Sequence, residues 1–329
     1  MNTAEMERAG PDGAPTLAER LASAAGGVAA FTRQGASWAT AWADAVWMRA
    51  SWMLPGPANE REIRVIAMRR SGHHAVVNWI RLHLPGRHCF LNECLPNANP
   101  FESCARSVCR VWTGRVQHRR IFWDQEIAGR HSKKGILLYN FEDERLEDVA
   151  SARFEANRAR WLGESRERTD VLVLRDPFNL LASKLRWAYG RHAQPALEEF
   201  PGLVVLWKQH AREFLGETQC LGAGTVGINY NRWFTDAGYR RELVRKLGLV
   251  GDGDRGLQQV ARFGPTLWGD TFDGMKYDGR AQQMKVLERW HTYRDDPLYR
   301  SLFRDPELIE LSERIFGRIP GTETLFAPG

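Results

Sequence analysis

The 329-residue sequence contains no run of roughly 18 uncharged apolar residues, the length a helix needs to cross a bilayer. Even its most apolar early stretch, from Gly35 to Met53, is broken by Asp44 and Arg49, so no integral membrane span is expected. The N-terminus lacks the basic start, apolar run and small-residue cleavage site of a secretory signal, since Glu5, Glu7, Glu19 and Arg20 interrupt it; cytoplasmic residence is the expectation. Cysteines number five, too few for a disulfide framework at this length. Four of them, Cys89, Cys94, Cys104 and Cys109, follow a C-x4-C-x9-C-x4-C pattern. That spacing is wider than the usual zinc pairing, so the thiols read as reduced and no metal is expected. A clustered basic tail is also missing. The balance of 46 basic against 40 acidic residues leaves +6, which suits a polyanionic small ligand such as a nucleotide without requiring nucleic acid.

What is present divides unevenly. Residues 1–60 form a leader rich in Ala and Gly and punctuated by Pro11, Pro15, Pro55 and Pro57; the catalytic domain is expected over 61–320. If 36–53 is helical, Trp38, Trp42, Ala45 and Trp52 share one side and Trp47 points away. Such a helix would dock on the domain or make peripheral contact with a membrane or partner. From Ile63 onward, short apolar runs alternate with helical patterns, the signature of a single α/β domain with a mostly parallel central sheet flanked by helices. Strands are predicted over Ile63–Met68, Gly135–Phe141, Asp170–Arg175 and Gly224–Tyr230, and helices over His73–Leu84 and Pro177–Tyr189. The remaining C-terminal third reads as mostly helical apart from a Gly-rich stretch over Gly248–Gly279.

Two constellations carry chemistry. Arg69-Arg70-Ser71-Gly72-His73-His74 lies between a buried strand and a helix, where unsatisfied N–H groups and the helix dipole favour a phosphate. Gly72 permits close backbone approach, and the Arg, Ser and His side chains add donors. The loop is neither a Walker A sequence nor a G-x-G-x-x-G turn, which counts against an ordinary nucleotide hydrolase or dinucleotide dehydrogenase. In the second constellation, Arg175 ends the apolar run from Val171 and is followed by Asp176-Pro177, with Ser183 eight residues beyond Arg175, about two helical turns along. Arg175 and Ser183 could converge on one phosphate; the alternative is a local Arg–Asp pair and a serine on the helix surface.

Together these motifs resemble the family of sulfotransferases that use 3'-phosphoadenosine 5'-phosphosulfate (PAPS), over roughly Arg61–Trp290. The family's first loop reads P-K-S-G-T-T and its second motif is Arg followed eight residues later by Ser. The resemblance puts Arg70 in place of the loop lysine, Ser71 and Gly72 on identical residues, and His73 and His74 in place of two threonines. Tyr230, in Ile228-Asn229-Tyr230, resembles the family's tyrosine near adenine, and Thr271-Phe272-Asp273-Gly274-Met275-Lys276 resembles its S-F-x-x-M-K segment. The resemblance thus implies a P-loop-like fold. The 5'-phosphosulfate would be held by Arg69, Arg70, Ser71, Gly72, His73 and His74, and the 3'-phosphate by Arg175 and Ser183, while Tyr230, Thr271, Phe272 and Met275 would border adenine. No Arg-Lys-Gly triplet precedes Trp290, leaving Arg280 and Lys285 as candidate substitutes for that further clamp.

The chemistry so implied is transfer of a sulfuryl group to a hydroxyl or amine of a small-molecule, lipid or carbohydrate acceptor. Such transfer needs a general base and a cation near the leaving oxygen. Arg70 is the candidate cation, acting by charge because arginine does not readily give up its proton. Glu142, just after the strand between the two motifs, is the candidate base. Asp143 is next, and His73 or His74 could serve, with Glu93, His118 and His131 further off. An acidic helix start would explain Glu142 without catalysis. The segment from Cys94 to Gly135, with Trp112, Phe122 and Trp123, could line an acceptor cleft or be a surface insertion. The competing functions are a catalytically silent nucleotide-binding or docking protein on the same fold and a phosphotransferase.

Overall fold

The computed structural model describes residues 55–84, 88–108, 123–190, 199–260 and 272–326, which belong to one compact unit. The helix predicted over 36–53, together with Cys109, Trp112, His118, Phe122 and Thr271, lies outside the described residues. Five strands form one sheet: β1 (Asn59–Ala67), β2 (His88–Cys94), β3 (Lys134–Glu142), β4 (Ser165–Leu174) and β5 (Val226–Asn229). Their spatial order is β2-β3-β1-β4-β5 and every pair is parallel. The α/β class with a parallel central sheet is therefore as expected.

Side-chain alternation sorts the sheet into two faces. Ile63, Val65 and Ala67 of β1, Ile136 and Leu138 of β3, and Val171 and Val173 of β4 face α1 (His73–His83), whose Val76, Val77 and Ile80 complete that core. Ile66, Leu137, Tyr139, Phe141 and Leu172 face the other way, against Phe101 of α2 (Pro100–Val108) and Phe154 and Leu162 of α3 (Ala152–Leu162). A third apolar cluster joins Met68 and Leu174 to α4 (Pro177–Gly190) and α5 (Phe200–Phe214).

β2, at one edge of the sheet, escaped the sequence reading because polar residues interrupt its apolar run. With one strand neighbour, His-Cys-Phe-Leu-Asn-Glu-Cys needs only half a buried surface, and Leu91 and Cys94 are its two buried residues. β1, β3 and β4 also begin before their predicted starts, because polar residues at their N-terminal ends are buried in pairs. Arg64 grips Asp170 at 2.9 and 2.7 Å, and Glu62 accepts from the Tyr139 hydroxyl at 2.7 Å and from Arg158 and Ser165 at 2.6 Å. At the other end, Glu142 is the last residue of β3, not the start of a helix.

The topology opens a crevice. β1 leads through α1 to β2 on one side, whereas β3 leads through α3 to β4 on the other, so the loops leaving adjacent β1 and β3 diverge. In parallel sheets this is where ligands bind.

α4 is anchored by a buried polar knot. Asp176 Oδ1 accepts from Asn179 N at 2.8 Å, and Asn179 Nδ2 donates to Asp176 and, at 3.1 Å, to Leu287 O. Asn179 Oδ1 accepts from Arg289 N at 2.8 Å. This side chain ties α4 to a segment about a hundred residues away. Asn179→Ala would leave those buried groups unpaired and should cost about 2–4 kcal/mol in urea unfolding; a loss within measurement error would mean the knot carries no stability.

Candidate functional site

The loop after β1 runs from Met68 to α1 in a tight turn, with Ser71 N donating to Met68 O at 3.2 Å. Arg70 and Gly72 both have positive φ, 71° and 82°. At Gly72 glycine is required twice over, since a Cβ would also sit 2.2 Å from the Tyr230 ring. Tyr230 begins α6 (Tyr230–Thr235) at the end of β5, so the loop is closed from the far side of the sheet by an aromatic floor. Ala75 N and Val76 N bond back to Gly72 O, completing the first helical turn.

Glu142 and Asp143 flank this loop on the β3 side. Asp143, at φ 61°, accepts from Arg69 N at 2.9 Å and from Lys184 Nζ at 2.8 Å, and its own N donates to Ala67 O at 3.1 Å. It fastens the loop's first residue to β3 and α4. Lys184 is buried, which lowers its pKa against the opposing pull of Asp143. Glu142 is buried as well. Its Oε1 lies 3.0 Å from His73 Nε2 and 3.2 Å from His74 Nε2 and accepts from Asn140 Nδ2 at 2.9 Å; its Oε2 accepts from Arg69 Nε at 3.3 Å.

Burial by itself would push the Glu142 carboxyl up, but His73 and His74 outweigh it and hold it well below the usual carboxylate range. Burial lowers the His73 pKa, with Glu142 pulling the other way. An ionised Glu142 facing a neutral His73 satisfies both directions. His74 differs from its neighbour in being a third exposed, and its Nε2 also lies 3.2 Å from Asn92 Oδ1. Both contacts to Nε2 are from oxygens, and a proton on that nitrogen would satisfy them.

On the β4 side a second cluster forms. Arg175, fully buried, donates to Ser183 Oγ at 3.3 Å and to Arg70 O at 3.1 Å, binds Val286 O, and lies over the Tyr230 ring at 5.2 Å. The spacing of eight therefore does bring Arg175 and Ser183 together. Arg289 joins them, its Nη1 3.2 Å from the same Ser183 Oγ and its guanidinium 5.0 Å from the Phe272 ring. The sequence reading missed Arg289 and named Arg280 and Lys285 instead. Those two are exposed, Arg280 over Tyr277 and Lys285 paired with Glu288 at 2.9 Å. The missed signal was Arg289's position immediately before Trp290, but only the Asn179 knot delivers it to Ser183.

Other expected residues scatter. Phe272 packs with the third apolar cluster, while Met275 packs with the first. Arg70 lies over the Trp187 ring at 5.4 Å. Glu93 pairs with Arg69 at the rim, whereas His131 pairs with Glu126 at 3.1 Å beside the start of β3, away from the site. Of the described cysteines, Cys94 and Cys104 are buried in apolar packing and Cys89 is half-buried. Trp123 is partly buried and packs edge-on against Phe101 beside the second apolar cluster. Among the described residues no helix is long and apolar enough to cross a membrane.

No protein-family model matches the chain, and no curated protein is similar to it in sequence. Solved structures similar in fold include two sulfotransferases. Mouse sulfotransferase SULT7A1 complexed with PAP is 12% identical, with a TM-score of 0.43 over 81% of this chain and 88% of its own. The sulfotransferase domain from the curacin biosynthetic pathway is 13% identical, with a TM-score of 0.44 over 81% of this chain and 99% of its own.

His73 and His210 are both buried with lowered pKa values, His210 bonding Glu144 O at 3.0 Å. The unfolded chain therefore binds protons that the folded chain refuses. Stability present at neutral pH should be lost as pH falls below about 6.5, and Glu142, with its depressed pKa, should add a loss below about 4.3. Urea midpoints measured at pH 7 and pH 5 should differ, with pH 5 lower; equal midpoints would contradict buried neutral imidazoles.

Proposed function

We propose that the chain is a PAPS-dependent sulfotransferase that moves the sulfuryl group to a hydroxyl or amine of a small-molecule, lipid or carbohydrate acceptor. One observation carries the reading. Two anion-ready clusters flank the same strand end, the loop Arg69–His74 and the trio Arg175, Ser183 and Arg289. A nucleotide with phosphates at both its 5' and 3' positions uses both, whereas ATP has one phosphate chain and needs only the first. β1 lies between β3 and β4, so the 3'-phosphate falls on the β4 side and the sulfuryl end on the β3 side, beside Glu142 and His74.

In this reading Glu142 does not take the proton. A carboxylate with donors on both oxygens and a depressed pKa is a weak base. It holds His74 Nε2–H and stabilises the imidazolium, while His74 Nδ1 accepts the proton from the acceptor. As the acceptor oxygen or nitrogen bonds to sulfur, the bond from sulfur to the 5'-phosphate oxygen breaks. The loop N–H groups and Arg70 stabilise the negative charge that gathers on the departing bisphosphate.

Calorimetry should show binding of 3',5'-bisphosphoadenosine, weakened about 10- to 100-fold in Arg175→Ala and in Arg289→Ala by loss of a charge-assisted contact. Preference for ATP with Mg would favour a phosphotransferase and defeat the proposal. With labelled PAPS and a broad acceptor panel, His74→Ala should lower turnover by about 10²- to 10⁴-fold while nucleotide affinity stays within a few-fold. Near-normal turnover would remove His74 as the base, and no transfer by the wild type would leave a silent nucleotide-binding protein.

A further inference from the structure

We propose that His73 Nε2, His74 Nε2 and Glu142 Oε1 form a binding site for a divalent transition metal of the zinc class, and that occupancy of this site blocks transfer. Ligand atoms of the three residues lie within 4.8 Å of one another. Both imidazole nitrogens stand close to one carboxylate oxygen, at 3.0 and 3.2 Å. Bonds of about 2.0–2.1 Å in tetrahedral geometry place ligand atoms about 3.3–3.4 Å apart, close to these two nitrogen–oxygen separations. Asn92 Oδ1, 3.2 Å from His74 Nε2, supplies a neutral oxygen at the same corner.

Two further observations point to an ion. His73 is 3% exposed, and its buried Nε2 faces Glu142 Oε1 at 3.0 Å without making a hydrogen bond of good geometry among the described residues. A buried polar nitrogen left this way is costly, and a metal would satisfy it. The second is the arrangement behind the ligands. His73 Nδ1 is 3.5 Å from Ser71 Oγ, and Glu142 is held by Asn140 Nδ2 and Arg69 Nε. Metal-bound histidines characteristically donate their other N–H to an oxygen, and ligating carboxylates are themselves hydrogen-bonded. Two imidazoles, one carboxylate and an amide oxygen suit zinc or cobalt better than magnesium or calcium, which take oxygen ligands.

The consequence for transfer rests on the proposed role of His74. A metal on Nε2 displaces the proton there, and the neutral ring then keeps its proton on Nδ1. The nitrogen that would receive the acceptor's proton is no longer basic. Metal binding itself does not depend on that role.

Titration of the metal-free full chain with Co²⁺ tests the site. The expected result is one equivalent bound with visible absorption bands of a four- or five-coordinate ion, competed away by Zn²⁺. Glu142→Gln keeps the side-chain shape and should weaken Co²⁺ at least about tenfold, as should His73→Ala where thermal unfolding shows that it folds. Undiminished binding in Glu142→Gln, or six-coordinate spectra alone, would assign the ion to surface histidines and overturn the site. Zn²⁺ at full occupancy should abolish transfer and a chelator should restore it; unchanged transfer would overturn the block. A metal-free chain with no transfer activity would count against the proposed reaction, with the cobalt titration still deciding the metal site.

Discussion

The buried charge of Glu142 is the constraint around which the site is organised. A carboxylate removed from water must be paid in hydrogen bonds or neutralised. Asn140, two residues back on the same strand, points its amide at Oε1, and Arg69 reaches Oε2 from the neighbouring loop. Those contacts fix the loop's entry. His73 and His74 then approach from the first turn of α1, which fixes its exit. The conformation of the loop Arg69–His74 is thus coupled to β3 through one side chain, with Asp143 adding a second tie through Arg69 N and Lys184.

Burial of charge does not by itself mark a site, and the same sheet supplies the contrast. Glu62 and Arg64 on β1 are as buried as Glu142, but each meets formal opposite charges: Arg158 for Glu62, Asp170 and Glu155 for Arg64. Their charges are settled locally at the N-terminal half of the sheet. Glu142 instead has imidazoles on one oxygen and a half-exposed Arg69 on the other. Imidazoles exchange protons and accept metals in ways guanidinium groups do not, so this carboxylate keeps partners whose state can change.

What the sequence revealed follows the range of the contacts. The loop Arg69–His74 and the pair Arg175 and Ser183 are local, each spanning a strand end and the helix after it, so spacing was enough to find them. The parallel sheet was legible because central strands are apolar on both faces, and β2 was not because His88, Asn92 and Glu93 interrupt its short apolar run. Glu142 could be named from its place after a strand. Its partnership with the two histidines could not, since β3 and α1 are about sixty residues apart and only the β1–β3 pairing brings them together. Arg289 lay furthest from reach. Its backbone is held by Asn179, which itself looks like an ordinary helix residue in the sequence.

Arg289 also changes how the departures from the sulfotransferase pattern are weighed. The absent Arg-Lys-Gly triplet would leave Arg175 as the sole guanidinium beside Ser183, a weak cradle for a doubly charged phosphate. With Arg289 on the same hydroxyl, two guanidinium groups meet at that point, and like charges so close repel unless something negative lies between them or their donors are spent elsewhere. Arg175 spends part of its capacity on the carbonyls of Arg70 and Val286. In the proposed complex a bound phosphate would lie against both guanidinium groups. In the loop, burial lowers the pKa of His73, so the positive charge there comes from Arg69, Arg70 and the helix N-terminus. The chain therefore concentrates buried guanidinium groups beside Ser183 and titratable groups beside Glu142, and in the proposed reaction the first would grip the nucleotide while the second would move the proton.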